Sequence, residues 1–394
     1  MNLEGRIEKL FRPFKFVICL FKMKITLLEP FFTGSHANWA KSYAEHSQHE
    51  VKILSLTGHH WKWRMHGGAV SLAKMYLQAN ERPDLILATD MLDLSTFLAL
   101  TRHQTHDIPT AVYFHENQLT YPWSPTDQDV RLRRDQHYSF INYTTALSSD
   151  ALFFNSHYHQ QSFLESLPKF LKSFPDYNEL DSIENIVKKS QVLHLGMNLE
   201  KFDKHQPSLP NDSKRAIILW NHRWEYDKNP VDFFQALFTL ADRGMDFKLV
   251  VLGENFPKSP AIFEEAKKRL ADKILHFGYV ADFKTYAEWL WKADIVPVTS
   301  IQDFFGGSVV EAMYCNCKPL LPSRLAYPEH IPELLHPTFF YKDQNDLIKR
   351  LQGLLFHVGV LRKQETQQFV KQYRWQKQAP IYDAAFACCS RVFS

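Results

Sequence analysis

The chain has 394 residues, of which 45% are hydrophobic and 23% charged, and its formal net charge is only +3. This length accommodates two domains with separate cores, and the composition is that of a folded rather than a disordered protein. Because the net charge is small, any affinity for nucleic acid must come from local clusters of cations. The five cysteines include no Cys-x-x-Cys pair, which argues against a zinc ribbon or a disulfide scaffold and favours a reducing, cytoplasmic location.

The first 22 residues form a predicted N-terminal extension. An apolar run at 14–21 follows basic residues, but Lys15 interrupts it, and it is much shorter than the ~20 residues that cross a bilayer. Met23 begins the first predicted strand. We therefore expect residues 1–22 to lie outside the folded domains and the protein to have no membrane partner.

Short apolar runs alternate with longer amphipathic ones, which is typical of β-α-β units and parallel sheets. The predicted strands are 25–28, 51–56, 85–88, 111–114, 152–154 and 192–195, followed by 216–220, 247–252, 274–277, 295–299, 319–321 and 338–341. The polar segment 204–214 contains two prolines and is a predicted linker. The sequence therefore predicts an α/β protein with two doubly wound domains, 23–203 and 215–372, whose strand ends face a shared cleft.

Two carboxylates enclose a glycine pair just after the strand predicted at 295–299. Asp303 and Glu311 lie eight residues apart, with Gly306 and Gly307 between them at the start of an apolar helix. Glycine lets a backbone approach a ligand closely, and a helix N-terminus favours an anion such as a diphosphate. Glu311 would then bind a ribose and Asp303 would face a sugar. The alternative is an ordinary turn with a solvated glutamate.

Cations and a further glycine follow two other strands of the second half. Arg223 and Lys228 lie in the loop after 216–220, where they could neutralise a diphosphate leaving group. Gly253 follows the strand at 247–252 as a tight turn. The alternatives are surface charges for the cations and simple turn geometry for the glycine.

Polar residues also follow strands in the first half. His115 and Glu116 come directly after the strand at 111–114, and Asn117 and Gln118 follow them. Such a polar set is costly unless it faces a solvated cleft. His115 could hydrogen-bond a sugar hydroxyl and Glu116 could act as a base. The alternative is a structural histidine beside a polar loop.

Aromatic and basic residues are interleaved after the strand at 51–56. Trp61 and Trp63 offer stacking faces, while Lys62 and Arg64 offer phosphate contacts, as required for binding single-stranded RNA. The alternative is a loop with its tryptophans buried on the sheet. A second cluster, usually a solvated helix face, comprises Arg131, Arg133 and Arg134.

Together these residues resemble the retaining, nucleotide-sugar-dependent glycosyltransferases of family 4, which have the GT-B fold. The resemblance runs from Met23 to near the end of the chain. It rests on Asp303…Glu311 as the paired acids, Arg223 with Lys228 as the phosphate-binding pair, and His115 as the sugar-facing histidine. It implies that residues 373–394 form a helix that returns to the first domain.

Within that superfamily the chain is most similar to the tRNA-queuosine mannosyltransferases. The similar segments are 28–36, 61–64, 114–122, 303–306 and 311–317. The resemblance implies GDP-mannose as the donor, queuosine in a tRNA anticodon as the acceptor, and retention at the anomeric carbon. Three alternatives remain open: a family 4 enzyme with a lipid or saccharide acceptor, a non-catalytic RNA-binding protein of GT-B fold, and a sugar-nucleotide epimerase.

The site predictions fall into three groups. The predicted catalytic residues are His115, Glu116 and Asp303; the donor-binding residues are Gly34, Arg223, Lys228, Gly253, Phe305, Gly306, Gly307 and Glu311; the acceptor-binding and RNA-binding residues are His36, Trp61, Lys62, Trp63, Arg64, Asn117, Gln118, Arg131, Arg133 and Arg134. We expect no metal and no cofactor, because the histidine pairs lack partners at ligand spacing and the cations already supply positive charge to the diphosphate.

Overall fold

A computed structural model describes residues 21–124, 127–131, 136–208, 215–254 and 259–391. The predicted extension therefore lies outside the described residues except for its last two positions. Residues 209–214 of the predicted linker also lie outside the described residues, and the first two linker residues end a 3-10 helix, Glu200–His205.

The first domain is a parallel sheet with helices on both faces. Its strands are β1 (Lys24–Phe32), β2 (Glu50–Thr57), β3 (Leu85–Thr89), β4 (Thr110–Phe114), β5 (Ala151–Phe154) and β6 (Ser190–Val192), in the order β2-β1-β3-β4-β5-β6. Its helices are α1 (Gly34–His46), α2 (Trp61–Ala79), α3 (Leu94–Thr105), α4 (Gln128–Arg131), α5 (Gln136–Ser148), α6 (His157–Leu171) and α7 (Ser182–Lys188).

The second domain has the same architecture. Its strands are β7 (Ala216–Trp220), β8 (Phe247–Val251), β9 (Ile274–Phe277), β10 (Ile295–Pro297), β11 (Lys318–Pro322) and β12 (Phe340–Tyr341), in the order β12-β11-β10-β7-β8-β9. Its helices are α8 (Pro230–Asp242), α9 (Ile262–Arg269), α10 (Phe283–Lys292), α11 (Gly307–Tyr314), α12 (His336–Phe339), α13 (Gln344–Phe356), α14 (Val358–Leu361) and α15 (Gln367–Val370).

The central strands are buried on both faces, which explains their continuous apolar sequences. All residues of β3, β4, β5 and β7 are buried, and separate hydrophobic clusters lie on the two faces of each sheet. Parallel pairing needs a crossover between strands, and helices supply it. The predicted α/β class with two doubly wound domains is confirmed.

The last helix, α16 (Trp375–Arg391), packs on the first domain after the chain has completed the second. Asp383 accepts a hydrogen bond from Tyr43 at 3.0 Å, and Tyr382 accepts one from Trp39 at 3.3 Å. Gly196 lies against the Trp375 ring, where a Cβ would be 2.6 Å from the indole. These contacts join the two domains through a second chain crossing.

Among the described residues, no helix is both long enough and apolar enough to cross a membrane.

Candidate active site

The carboxyl ends of both sheets face one cleft, and several contacts cross it. The Tyr121 hydroxyl donates to Asp227 at 3.2 Å, and the Tyr226 hydroxyl donates to the carbonyl of Pro122. Glu329 of the second domain accepts from the backbone N–H groups of His157 and Tyr158 at 2.9 and 2.8 Å, at the N-terminus of α6. The two domains are therefore in direct contact around the predicted site.

Gly306 and Gly307 open α11 at this cleft. Gly306 has φ +88°, in the region that favours glycine, and a Cβ there would be 2.9 Å from the Tyr327 ring. Asp303 accepts from the Gly306 N–H at 3.1 Å and so fixes the turn before the helix. The turn thus depends on glycine both for its backbone angle and for its contact with Tyr327.

Lys228 lies buried between two carboxylates. Its ammonium is 3.2 Å from Asp227 and 3.3 Å from Asp303, and it donates to the Gln302 carbonyl at 2.9 Å. Burial alone would lower the pKa of Lys228, but the two carboxylates raise it. Burial alone would raise the pKa of Asp303, but the charge of Lys228 outweighs burial and lowers it. The structure therefore holds Lys228 charged beside the carboxylate predicted to face the sugar.

Arg223 is the more accessible of the two predicted phosphate-binding cations. Its side chain is half exposed and forms an ion pair with Glu225 at 3.1 Å. Burial opposes its charge, but Tyr121 and Glu225 raise the pKa of Arg223 above its usual range. Arg223 is therefore a half-exposed cation with one carboxylate partner at the cleft, whereas Lys228 is buried between two.

The predicted ribose-binding residue, Glu311, accepts a hydrogen bond from Tyr286 at 2.8 Å. Burial raises the pKa of Glu311, with Lys201 and the Tyr286 hydroxyl acting in the opposite direction. Tyr286, on α10, thus orients the carboxylate one turn inside α11. Phe305 is 3% exposed and packs edge-on against His330 and Tyr373, so its side chain belongs to the core beneath the glycine turn.

Sequence reasoning missed His222, which lies between the cation loop and α11. Its Nδ1 is 2.8 Å from the Ser308 hydroxyl, and its buried Nε2 has no hydrogen-bond partner among the described residues. Burial lowers the pKa of His222 to about 4, with Lys228 adding to the effect, so the ring is neutral at neutral pH. Gln302, whose buried side-chain nitrogen Nε2 also has no partner in the described chain, was missed too. The only signal was adjacency to Arg223 and Asp303 in sequence.

Gly253 brings the ends of β7 and β8 together. It has φ +99°, and a Cβ there would be 1.9 Å from the carbonyl oxygen of His222. Glycine is therefore required for the close approach that positions His222 and Arg223. The sequence allowed two roles for Gly253, donor binding and turn geometry, and these contacts are evidence for turn geometry.

In the first domain, the predicted acceptor residue His36 is 7% exposed and pairs with the fully buried Glu29 at 3.0 Å. Burial alone would lower the pKa of His36, but Glu29 raises it to about 9. Phe31 also donates its N–H to Glu29, at 2.8 Å. His36 is therefore an internal cation rather than an exposed one. Gly34, two residues earlier, has φ +51° and begins α1.

His115 is held by its surroundings. Its ring centroid is 4.3 Å from that of His36. Its backbone N–H donates to Asp90 at 2.7 Å, and its backbone carbonyl accepts from Asn155 at 2.8 Å. Burial and the charge of His36 lower the pKa of His115, and burial raises that of Asp90 to about 8. The Nε2 of His115 is buried with no hydrogen-bond partner among the described residues, so His115 is a neutral, fixed imidazole.

The three polar residues after His115 have different environments. Glu116 is half-buried and accepts from the Gln118 amide at 2.9 Å. Asn117 is fully buried, and its Oδ1 accepts from the N–H groups of Leu119 and Thr120, so it stabilises a turn. Glu116 is therefore the more accessible of the three.

Two groups of side chains within the described residues could hold a metal ion. In each group three ligand atoms lie within 4.8 Å of one another, and the groups are Glu29, His36 and His115, and His157, His194 and Glu329. The sequence-based expectation of no metal did not consider these groups, because their members are far apart along the chain. In both, the carboxylate already accepts hydrogen bonds from protein groups.

The aromatic–basic segment begins α2 rather than forming a loop. Trp61 packs against Trp123 and Tyr138, and the Lys62 ammonium lies 2.7 Å from Asp127 and also contacts Asp129. Burial would lower the pKa of Lys62, but hydrogen bonds to these carboxylates raise it.

The remaining members of the predicted RNA-binding set are not gathered on one described surface. Arg64 donates to the backbone and hydroxyl oxygens of Thr57, whereas Trp63 is 64% exposed. Arg133 and Arg134 lie outside the described residues, and Arg131 is described only as the end of α4. Of the four residues from Trp61 to Arg64, only Trp63 therefore has an exposed side chain.

Two facing six-stranded parallel sheets, with a glycine-opened helix and two cations at the cleft, are the features of a GT-B glycosyltransferase. Solved structures of the same fold include the N-terminal domain of Candida albicans trehalose-6-phosphate phosphatase, with a TM-score of 0.69, 11% identity and coverage of 94% of this chain and 97% of that chain. Sucrose-phosphate synthase from Thermosynechococcus elongatus gives a TM-score of 0.66, with 16% identity and coverage of 93% of this chain and 100% of that chain. The predicted GT-B fold is confirmed.

Sequence comparison defines the family more narrowly. Residues 201–335 match the model for glycosyl transferases group 1, and residues 24–197 match that for the tRNA-queuosine alpha-mannosyltransferase N-terminal region. A tRNA-queuosine alpha-mannosyltransferase from Drosophila melanogaster is 33% identical over 355 residues, covering 88% of this chain and 91% of its own length. The chain therefore belongs to the tRNA-queuosine alpha-mannosyltransferase family, and the resemblance seen in the sequence is confirmed.

Proposed function

We propose that this protein transfers mannose from GDP-mannose to queuosine in the anticodon of tRNA, in the cytoplasm. The observation that carries the proposal is the 33% identity to the fly mannosyltransferase, because it spans 88% of the chain and hence both the donor and the acceptor domain. The geometry of the cleft supports the same reaction class. A held cation, an accessible cation and a helix N-terminus converge where a diphosphate would leave.

In the proposed reaction, the second domain binds the nucleotide diphosphate. Its phosphates lie at the N-terminus of α11, Lys228 and Arg223 compensate the charge that grows on the leaving group, and Glu311 accepts hydrogen bonds from the ribose hydroxyls. Charge stabilisation that is stronger in the transition state than in the ground state raises the rate. The neutral His222 supplies a further buried hydrogen-bonding atom beside Lys228.

We further propose that the reaction is independent of metal ions and retains the anomeric configuration. The cations and the helix N-terminus supply the positive charge that a divalent ion would otherwise provide. The leaving phosphate would accept the proton of the acceptor hydroxyl on the face from which it departs, as the mannose–oxygen bond to phosphate breaks and the bond to the acceptor forms. No protein nucleophile is required.

On the acceptor side, His115 and Glu116 would contact the sugar and the cyclopentene diol. Backbone hydrogen bonds with Asp90 and Asn155 hold the His115 main chain, and the neutral ring packs against His36 and Trp39, so it can offer a hydrogen bond without reorganisation. RNA would lie along the carboxyl edge of the first sheet, towards Trp63 at the start of α2.

A donor panel tests this proposal. Purified protein and queuosine-containing tRNA are incubated with GDP-mannose, GDP-glucose or UDP-glucose, each with and without chelator. The proposal predicts sugar transfer from GDP-mannose at the same rate in both conditions. Preferred transfer from UDP-glucose would overturn the donor assignment, and loss of activity in chelator with recovery on adding Mg²⁺ or Mn²⁺ would overturn metal independence.

A further inference from the structure

Trp63 is the only one of the nine tryptophans whose side chain is exposed, and all nine lie within the described residues. Its exposed fraction is 64%. It lies in the first turn of α2, which begins where the edge strand β2 reaches the carboxyl side of the first sheet. The indole is therefore on the same side of the domain as His115, at the outer rim of the acceptor face.

A glycine one turn later lies directly beneath this ring. A Cβ at Gly67 would be 2.7 Å from Cζ2 and 2.8 Å from Cε2 of Trp63, and the three nearest atoms all belong to that indole. Residues four apart on a helix are neighbours on its surface, so the ring covers the position that a Gly67 side chain would occupy. Glycine inside a helix is destabilising relative to alanine. The structural effect of this glycine is to let the exposed indole lie against the helix surface.

The adjacent Gly68 has a different structural role from Gly67. A Cβ at Gly68 would be 2.9 Å from Pro30, a buried residue of β1, so this glycine permits packing of the helix on the sheet. Gly67 faces outward instead and is in contact with Trp63. Core packing therefore explains Gly68 but not Gly67.

The chemistry around the ring favours a nucleic acid base over an apolar protein partner. The exposed neighbours His59, His60 and His66 are polar, and the first turn of α2 contains no acidic residue of its own, although Asp127 and Asp129 pair with Lys62 there. The helix start at His60 has no side-chain cap among the described residues, which leaves the positive end of the helix available to a phosphate. An exposed aromatic ring with polar neighbours, beside an uncapped helix N-terminus, is suited to stacking on an unpaired base.

We propose that Trp63, seated on Gly67, is a stacking platform for one unpaired base of the tRNA loop. The inference rests on the proposed function, because it assumes that tRNA is the acceptor. It adds a specific residue pair and a specific contact to that function. The seat matters because a ring that is already positioned loses less freedom when a base stacks on it.

Two substitutions on α2 and one matched control test the platform. Trp63→Ala removes the ring, and Gly67→Ala keeps the ring but displaces it from the helix surface. Gly353→Ala, in α13 of the second domain, is the control, because a Cβ there has no neighbour within 4 Å in the described chain. Affinity for queuosine-containing tRNA is measured at one fixed salt concentration, with the thermal unfolding midpoint of each protein.

The proposal predicts that tRNA affinity and thermal stability respond differently to these substitutions. Trp63→Ala should weaken tRNA binding by about 5- to 150-fold, the range expected for losing one stacked base, and Trp63→Phe should recover most of it. Gly67→Ala should weaken binding by roughly threefold or more while its unfolding midpoint equals or exceeds that of the wild type, because alanine favours the helix. Gly353→Ala should leave both tRNA affinity and mannose transfer unchanged.

An abasic scan of the anticodon loop identifies the stacked position. One loop nucleotide should, when made abasic, weaken binding to wild-type protein but not to Trp63→Ala. Wild-type tRNA affinity in both Trp63→Ala and Gly67→Ala would overturn the platform while mannose transfer by the wild type continued. Absence of transfer by the wild type itself would instead overturn the proposed function, so the two failures are distinguishable.

Discussion

The carboxyl edges of the two sheets differ in how their charges are arranged. In the second domain, Lys228 is held charged between two carboxylates, and buried polar atoms of His222 and Gln302 lack partners in the described chain. In the first domain, His36 is compensated by Glu29 and Lys62 by two aspartates, while the Trp63 ring at the start of α2 is left exposed. Buried polar atoms without partners in the described chain also occur in the first domain, at His115 and Asn117. The difference is that the second domain holds a fixed, buried cation beside such atoms, whereas the first offers exposed surface to a large partner.

This difference teaches how one fold serves two substrates of unlike size. A diphosphate needs a few fixed charges close to the bond that breaks, and buried groups supply them at short range. A folded RNA is contacted over a wide area, where exposed stacking and phosphate contacts carry the affinity. Changing charge on either edge should therefore have unequal consequences.

Removing the fixed cation should have the largest effect. Lys228→Ala leaves Asp227 and Asp303 buried without their partner, so we expect a loss of about 10²–10³ in kcat and about 3–5 kcal/mol in the free energy of unfolding. Turnover of GDP-mannose and urea unfolding measure the two. Lys248→Ala is a suitable control, because this lysine is partly exposed on β8 and contacts only a carbonyl in the described structure. Wild-type turnover in a folded Lys228→Ala protein would show that the diphosphate lies elsewhere.

Removing the ribose contact should act on affinity. Glu311→Ala is expected to weaken GDP binding by about 10- to 100-fold, since up to two charge-assisted hydrogen bonds are lost. Tyr286→Phe should cost less, because it removes only the hydroxyl that orients this carboxylate. Calorimetric titration with GDP measures both. Equal affinity in wild type and Glu311→Ala would remove the glutamate from the donor site.

The buried neutral histidine should make the donor side sensitive to acid. The pKa of His222 is lowered from 6.5 to about 4, so the unfolded chain binds a proton at a pH where the folded protein does not. Its contribution therefore makes stability fall as the pH drops from 6.5 towards 4, by about 2 kcal/mol between pH 7 and pH 5.

Urea unfolding of the wild type and His222→Gln across this pH range isolates that contribution. The substitution should flatten the slope of stability against pH, whereas replacing the exposed His103 with glutamine should not. Parallel pH profiles for wild type and His222→Gln would mean that folding does not lower the pKa of His222.

Releasing a compensated cation on the acceptor side should have the smallest effect. Replacing Asp127 and Asp129 with asparagine frees the Lys62 ammonium, and we expect tRNA binding to tighten by about two- to fivefold with a salt slope steeper by up to one phosphate contact. Binding isotherms at several salt concentrations measure this. Asp242→Asn, which removes an exposed partner of Arg269 on the other domain, is the control. An unchanged salt slope would place the RNA away from Lys62.

The placement of the candidate donor-binding residues at one edge could be predicted from sequence because these elements are local, whereas their roles stay predictions. Both cations lie in the segment after β7, and the glycine pair and both acids lie in the loop after β10 and the start of α11. The structure brings these two short segments together at one edge. Tyr286 and His222 were missed because their contacts depend on tertiary placement; Tyr286, for example, lies 25 residues from Glu311.

The acceptor side could be predicted only in outline. The sequence shows that tryptophans and cations follow β2, but it does not show that Lys62 is paired. The partners of Lys62 lie 65 and 67 residues away along the chain. Whether a tryptophan is packed or exposed also depends on distant neighbours. Trp61 packs against Trp123, whereas Trp63, two residues later, is exposed. Local sequence sets residue type, whereas the folded environment decides which side chain remains available.

The most direct test of the account is mannose transfer to two forms of one tRNA. Purified protein is incubated with labelled GDP-mannose and with the same tRNA carrying either queuosine or guanine at the modified anticodon position. The account predicts labelling of the queuosine form alone, with an α-linked product. Equal labelling of both forms, or of neither, would contradict it.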